Sequence, residues 1–358
     1  FPFAFSVLGG DTAAALAAGC PVLVKAHSGH LQLSQRVMGL VRQVLARAKL
    51  PAGLLGLVQG GGRDIGVQLI RHPAIAAGAF TGSTQGGAAL AAEAAARPRP
   101  IPFYGELGSI NPLVALPQRL AADGAALAAT LAGSITLGCG QFCTNPGLVV
   151  LIDASPAAEV DARAVNDAFV AQLVEALRAQ QPHAMLTQAM RGAFEAGVAH
   201  WAQAGAQLKL QESAAPGQPP RPVLAEVDGA TFLAQAALRE EVFGPSSLVV
   251  RTASLEQALA VLRAVGGSLT VTLWGVEQGD TQAQALVRAA MAIAGRVLFA
   301  GVPTGVAVSA GQQHGGPWPS STRPESTSVG DAALQRFLRP VCLQEAPAWL
   351  LQRGGRPL

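Results

Sequence analysis

The chain has 358 residues, half of them hydrophobic and 13% charged, with a formal net charge of +3. This length suffices for two domains or one large α/β unit, and the apolar content excludes a disordered chain. Lys25, Lys49 and Lys209 are the only lysines and the arginines are scattered, so no basic block marks a nucleic-acid partner.

In chain order, Ala13–Ala18 reads as a helix and Pro21–Lys25 as a short buried strand. Gly29 introduces an amphipathic helix, Leu31–Ala48, which Lys49-Leu50-Pro51 stops. A strand at Leu54–Gln59, a short helix at Asp64–Ile70, a strand at Ile75–Phe80, a glycine-rich turn and a helix at Gly87–Ala96 come next. The alternation predicts a parallel sheet covered on both faces. Pro98–Pro102 marks a break before a strand candidate at Phe103–Glu106, and a new α/β region begins near Ser109. Its expected helices are Gln118–Gly133, Val165–Arg178, Leu186–Gln203 and Leu255–Val265, and its expected strands are Leu148–Asp153, Val223–Leu224 and Leu248–Val249. Gly205–Pro222 reads as a loop with a short strand at its start, and Gly311–Gly330 as a long Pro/Gly/Ser-rich loop of the kind often used for function. There is no internal repeat.

Two long stretches of low charge bear on a membrane. Residues 1–24 are interrupted by Pro2, Asp11, Pro21 and paired glycines, while Ala125–Cys143 is mainly Ala, Gly, Thr and Leu. A spanning helix needs ~20 strongly apolar residues; these small residues suit close packing in a protein core, and no membrane partner is expected. The opening stretch lacks the basic flank and cleavage site of a secretory signal, and the first residue is Phe, so the start reads as cut. Cysteines at 20, 139, 143 and 342 make no disulfide framework, and the cytoplasm is the expected compartment.

Three features can carry chemistry. Phe80-Thr81-Gly82-Ser83-Thr84-Gln85-Gly86-Gly87 lies between a strand and a helix, where backbone amides favour an anion; taken alone, such a turn is more often a plain connection. Cys143 sits in the turn Gly138-Cys139-Gly140-Gln141-Phe142-Cys143-Thr144-Asn145-Pro146 after a small-residue helix. An exposed thiol fits there, although a lone cysteine is more often an inert buried residue. Cys139 and Cys143 resemble a metal half-site, but no nearby His or second Cys pair completes it, and no metal is expected. Glu106 is flanked by glycines and apolar residues, and burial is expected to raise its pKa toward that of a useful base. The alternative is a hydrogen-bonded loop glutamate.

Together these segments resemble the aldehyde dehydrogenase superfamily in content, order and approximate spacing. The resemblance runs the length of the chain through Pro21-Val22-Leu23-Val24-Lys25, the Phe-Thr-Gly-Ser turn, Gly105-Glu106-Leu107-Gly108, Gly140-Gln141-Phe142-Cys143, Glu240-Glu241-Val242-Phe243-Gly244-Pro245 and a glycine-rich ending. Gly9-Gly10-Asp11-Thr12, Lys25-Ala26-His27-Ser28 and His314-Gly315-Gly316-Pro317 are similar to the branch holding 2,5-dioxovalerate (α-ketoglutarate semialdehyde) dehydrogenases and an NADP-dependent fatty-aldehyde dehydrogenase. The fold implied is α/β: a partial Rossmann-like cofactor domain (1–107), an α/β catalytic domain (108–330) and a C-terminal oligomerisation tail (331–358) with a strand near Arg339–Gln344.

The resemblance also implies roles. Cys143 is the nucleophile that forms a thiohemiacetal and then a thioester, and Glu106 is the base that hydrolyses it to the free acid. Lys25 contacts the adenosine ribose or a 2′-phosphate, with His27 nearby; Ser28 stands where NAD-preferring members carry a Glu, which points to NADP, with NAD as the alternative. Ser83 and its turn take the pyrophosphate, Glu241 the nicotinamide ribose and Phe243 the nicotinamide; Gly82, Gly87 and Leu107 complete the cofactor-binding set. The implied partners are a small aldehyde and further copies of the chain in a homodimer or homotetramer. The family's oxyanion Asn precedes the Phe-Pro that is here Phe1-Pro2, so the resemblance also implies an N-terminally truncated form with impaired activity, or an inactive homologue acting as a binding or assembly subunit.

Overall fold

A computed structural model describes residues 6–60, 63–154, 160–215 and 217–351. Phe1 and Pro2, next to the expected oxyanion position, lie outside them. The first region runs α1 (Gly10–Ala17), β1 (Val22–Lys25), α2 (Leu31–Arg47), β2 (Leu55–Val58), α3 (Asp64–Arg71), β3 (Gly78–Thr81), α4 (Thr84–Ala95) and β4 (Phe103–Glu106). The helices start and stop for local reasons. The Ser83 hydroxyl accepts from the Gly86 amide at the start of α4, and α2 ends before Lys49, at a positive φ of 54°, and Pro51.

The order of elements is as expected, but their assembly differs. In place of one sheet there are two parallel pairs, β1–β2 and β3–β4, in separate sheets. A cavity of about 1290 Å³ is bounded by β1 on one side and β3 on the other. That space explains the correction, since ladder hydrogen bonds require strands about 4.8 Å apart.

The second region holds β5 (Pro112–Ala115), α5 (Pro117–Thr136), β6 (Leu148–Ile152), α6 (Ala162–Arg178), α7 (Gln188–Gln203), β7 (Gln207–Gln211), β8 (Val223–Asp228), α8 (Gly229–Ala234), β9 (Ser246–Thr252), α9 (Leu255–Val265), β10 (Ser268–Trp274), α10 (Thr281–Ile293) and β11 (Ala294–Leu298). Its sheet has the order β11-β10-β5-β6-β9-β8-β7, parallel except for the β7–β8 pair. Strand β6 shows why both faces are covered. Leu148, Val150 and Ile152 join the core built with α9 and α10, while Val149 and Leu151 join the core built with α5 and α6. Each such side chain contributes roughly 1.5–3 kcal/mol by burial.

Residues 117–140 are long and apolar enough, by length and composition, to cross a membrane. Leu120, Ala128, Leu131, Ala132 and Ile135 of this segment instead lie in the core beside Phe169, Leu173 and Leu177 of α6.

Strands β5, β10 and β11 and helix α10 were not expected from the sequence. Strand β10 alternates hydroxyl with apolar residues, a pattern of one wet face, yet Ser268, Thr270 and Thr272 are all buried. The Thr270 hydroxyl donates to Asn111 Oδ1, which removes part of the cost of burial. The expected strand at Arg339–Gln344 is not present, because no strand of this chain lies beside it to complete a ladder among the described residues; Val341 and Leu343 are exposed there.

Candidate active site

The nucleophile candidate follows a left-handed turn built around two glycines. After α5 the backbone takes positive φ at Gly138 (57°), Cys139 (59°) and Gly140 (66°). A Cβ on Gly140 would lie 2.1 Å from the Gly244 carbonyl oxygen, so the turn sits directly on the backbone before Pro245. Asn111, just before β5 and at a φ of 54°, anchors the segment after this turn. Its buried side chain donates to the carbonyls of Ser109 (3.2 Å), Cys143 (2.9 Å) and Asn145 (2.9 Å) and accepts from the Ser109 hydroxyl at 2.7 Å. The Cys143 backbone is thereby tied to the sheet.

Glu106 ends β4 and is buried. The long loop 311–330 closes over it. The Leu107 amide donates to the Ser320 carbonyl at 2.8 Å, and the Thr322 amide to the Gly105 carbonyl at 3.0 Å. From this loop His314 enters between the two candidates. Its Nε2 lies 3.1 Å from Glu106 Oε1 and 3.4 Å from Cys143 Sγ, and the Ser328 hydroxyl donates to Glu106 Oε2. His314 was legible only as part of a motif and Asn111 not at all, since their partners lie far away in sequence. The expectation for Glu106 is corrected in sign. Burial does push its pKa up, but His314, together with hydrogen bonds from His314, Ser328 and Cys143, holds the carboxyl below its usual value.

Cys143 is shifted the other way: burial, then the Glu106 charge, push its thiol well above the ordinary range. A thiol with a raised pKa gains thiolate with every unit of pH through neutrality, about tenfold per unit. Iodoacetamide labelling of Cys143, tracked on its peptide by mass spectrometry, is therefore expected to keep accelerating through pH 9. A plateau below pH 8 would contradict this environment; exposed Cys342 serves as the reference thiol.

The candidate site residues fall into three groups. Lys25, His27, Ser83, Glu106, Cys143 and His314 share the lining of the large cavity, with Arg63. Ser28, Gly82, Gly87 and Leu107 lie beside this lining rather than on it: the Gly82 amide donates to the Glu106 carbonyl at 3.1 Å, and a Cβ on Gly87 would meet Leu107 Cδ2 at 2.0 Å. Glu241 and Phe243 line a separate small pocket with Ser109 and Trp201. There the Glu241 carboxylate accepts from the Ser109 amide at 3.2 Å. Although the residue as a whole is exposed, desolvation of the carboxylate raises its pKa to about 7. His27 accepts from the Gly29 amide through Nδ1, and burial, with His30 and Lys25 nearby, lowers its pKa to about 4. It carries no standing positive charge near neutrality, so Lys25 and Arg63 supply the cavity's charge at that end.

The sequence profile described as "Aldehyde dehydrogenase family" matches residues 1–338. The chain belongs to the aldehyde dehydrogenase family. It is 46% identical over 360 residues to alpha-ketoglutaric semialdehyde dehydrogenase 2 of Azospirillum brasilense, covering 99% of this chain and 66% of that protein. It is 40% identical over 370 residues to the alpha-ketoglutaric semialdehyde dehydrogenase of Acinetobacter baylyi, covering 100% of this chain and 67% of that protein. The chain thus spans about two thirds of the length of these aldehyde dehydrogenases. A crystal structure of an NAD-dependent aldehyde dehydrogenase from Sinorhizobium meliloti, at 21% identity, superposes with a TM-score of 0.73 over 94% of this chain and 64% of its own, which shows the shared fold.

Proposed function

We propose that this protein oxidises a semialdehyde, of the class of 2,5-dioxovalerate, to the carboxylic acid with NAD(P), using Cys143 as nucleophile and Glu106 as base. The single observation that carries the reading is the contact chain Cys143 Sγ, His314 Nε2, Glu106 Oε1, facing one cavity large enough for a dinucleotide. The names of the two relatives supply the substrate class.

The thiol is protonated at rest, so attack needs a proton acceptor. His314 Nε2 is in reach, and the Glu106 carboxylate on its far side stabilises the imidazolium that results. The sulfur adds to the aldehyde carbon, and the carbonyl oxygen becomes the thiohemiacetal alkoxide. The nicotinamide, when bound, supplies the acceptor for the hydride that leaves this carbon. Glu106 then takes a proton from water, whose oxygen attacks the thioester carbon; the Cys143–carbon bond breaks and the acid departs. Cofactor binding falls to Lys25, Arg63 and Ser83 in the cavity, with Ser28 leaving room for a 2′-phosphate because it places no carboxylate there. This favours NADP. Glu241 and Phe243 keep their proposed place at the nicotinamide end.

Residues 1–107 act as the cofactor domain, 108–330 as the catalytic domain and 331–358 as a tail for homo-oligomer contact, supported by exposed Val341, Leu343 and Trp349. A cytoplasmic address accords with the free cysteines. The test is NADPH and NADH formation by the purified protein from 2,5-dioxovalerate and from long-chain aldehydes. Turnover is expected with the semialdehyde; no turnover with any aldehyde and either cofactor would sink the reading.

A further inference from the structure

We propose that Glu106, Cys143 and His314 form a binding site for a zinc ion, whose occupancy withdraws both the nucleophile and the base from the reaction. Three electron-rich atoms, a sulfur, a ring nitrogen and a carboxylate oxygen, converge here within 4.8 Å of one another. The two contacts at His314 Nε2 are 3.4 Å to the sulfur and 3.1 Å to the oxygen. A tetrahedral zinc ion with its sulfur at ~2.3 Å and its nitrogen and oxygen at ~2.0–2.2 Å keeps these atoms roughly 3.4–3.6 Å apart. The trio therefore needs an opening of a few tenths of an ångström at those two contacts.

Two further features describe how the trio is held. One ring nitrogen faces both a sulfur and a carboxylate oxygen, and a single proton on it cannot be donated fully to both. Moreover, Nδ1 of His314 is buried with no hydrogen-bond partner among the described residues, so the ring nitrogens are held only through the Nε2 contacts to Cys143 and Glu106, which a metal at Nε2 would replace. With the proton on Nδ1, the Nε2 lone pair is free for a metal. The carboxylate has the outer support that metal ligands usually show, since Ser328 donates to its other oxygen. All three residues line the large cavity, which gives the ion a way in and leaves its fourth position to water. On binding, the Cys143 thiol releases its proton to solvent and no electrons are transferred. Cys139, the other cysteine of this turn, is not among the ligands.

The binding rests on geometry alone; only its effect on turnover rests on the proposed activity. The purified chain is titrated with zinc chloride by calorimetry and with cobalt(II), whose sulfur-to-metal charge-transfer absorption reports a thiolate ligand. One zinc per chain is expected, with that absorption present. Affinity should fall at least ~10-fold in each of Cys143→Ser, His314→Gln and Glu106→Gln, by analogy with the loss of a ligand or its supporting contact, and stay unchanged in Cys342→Ser. In the unaltered chain zinc should shield the Cys143 peptide from iodoacetamide until a chelator is added, a readout that needs no variant to fold. Absence of stoichiometric binding at micromolar zinc, undiminished affinity in Cys143→Ser or His314→Gln, or unshielded Cys143 in zinc-loaded protein would each overturn the site. If zinc binds as described while no aldehyde is oxidised, the zinc site stands and the proposed activity falls.

Discussion

Cys143→Ala is expected to lower turnover of the semialdehyde by about 10⁴-fold or more, because covalent catalysis has no substitute nucleophile at that position. Cys139 is buried, and burial foremost raises its thiol pKa to about 11. The loss should be chemical rather than structural. Asn111 grips the Cys143 carbonyl, not its side chain, and the glycine turn before it depends on Gly140. Circular dichroism and the thermal midpoint should therefore stay close to those of the unaltered protein while NAD(P)H formation disappears. Retained turnover would reject the assignment of Cys143.

Glu106→Gln is expected to divide the reaction in two. The amide keeps the size of the carboxyl group but cannot take a proton from water, so thioester hydrolysis should slow by ~10²–10⁴-fold. The first turnover should survive as a burst of NAD(P)H, then near-arrest. Acid-quenched protein should carry the acyl group on the Cys143 peptide by mass spectrometry. The Glu106 carboxyl stands below its usual pKa despite burial, so the base is ionised through neutral pH and its contribution should fade only as the pH falls through that lowered value. Unchanged steady-state kinetics, or arrest with neither burst nor adduct, would remove Glu106 from the hydrolytic step.

Much of the local structure was legible because its causes are local. Leu31–Arg47 shows its amphipathic period, Lys49-Leu50-Pro51 marks its end, and the apolar run at Leu148–Ile152 marks a strand buried on both faces. Strand β10 was not legible, because its hydroxyl residues imitate a wet face yet are buried, and Thr270 finds its partner in distant Asn111. The single sheet expected for residues 1–107 failed for a related reason: alternation of elements does not say which strands lie side by side.

The sequence by itself determined the element types, the family resemblance and the nomination of Cys143 and Glu106, all of which depend on residue types in short segments or on motifs in order. Only the tertiary structure decided that His314 stands between them, that Asn111 holds the Cys143 loop and that Ser328 caps the Glu106 carboxylate. His314 is 171 residues from Cys143 and 208 from Glu106. It also decided the direction of the Glu106 shift, since burial alone predicts a rise and the main neighbours that reverse it, His314 and Ser328, come from a loop more than two hundred residues away. A side chain's ionisation depends on which dipoles and charges lie within a few ångströms, and chain folding sets those distances.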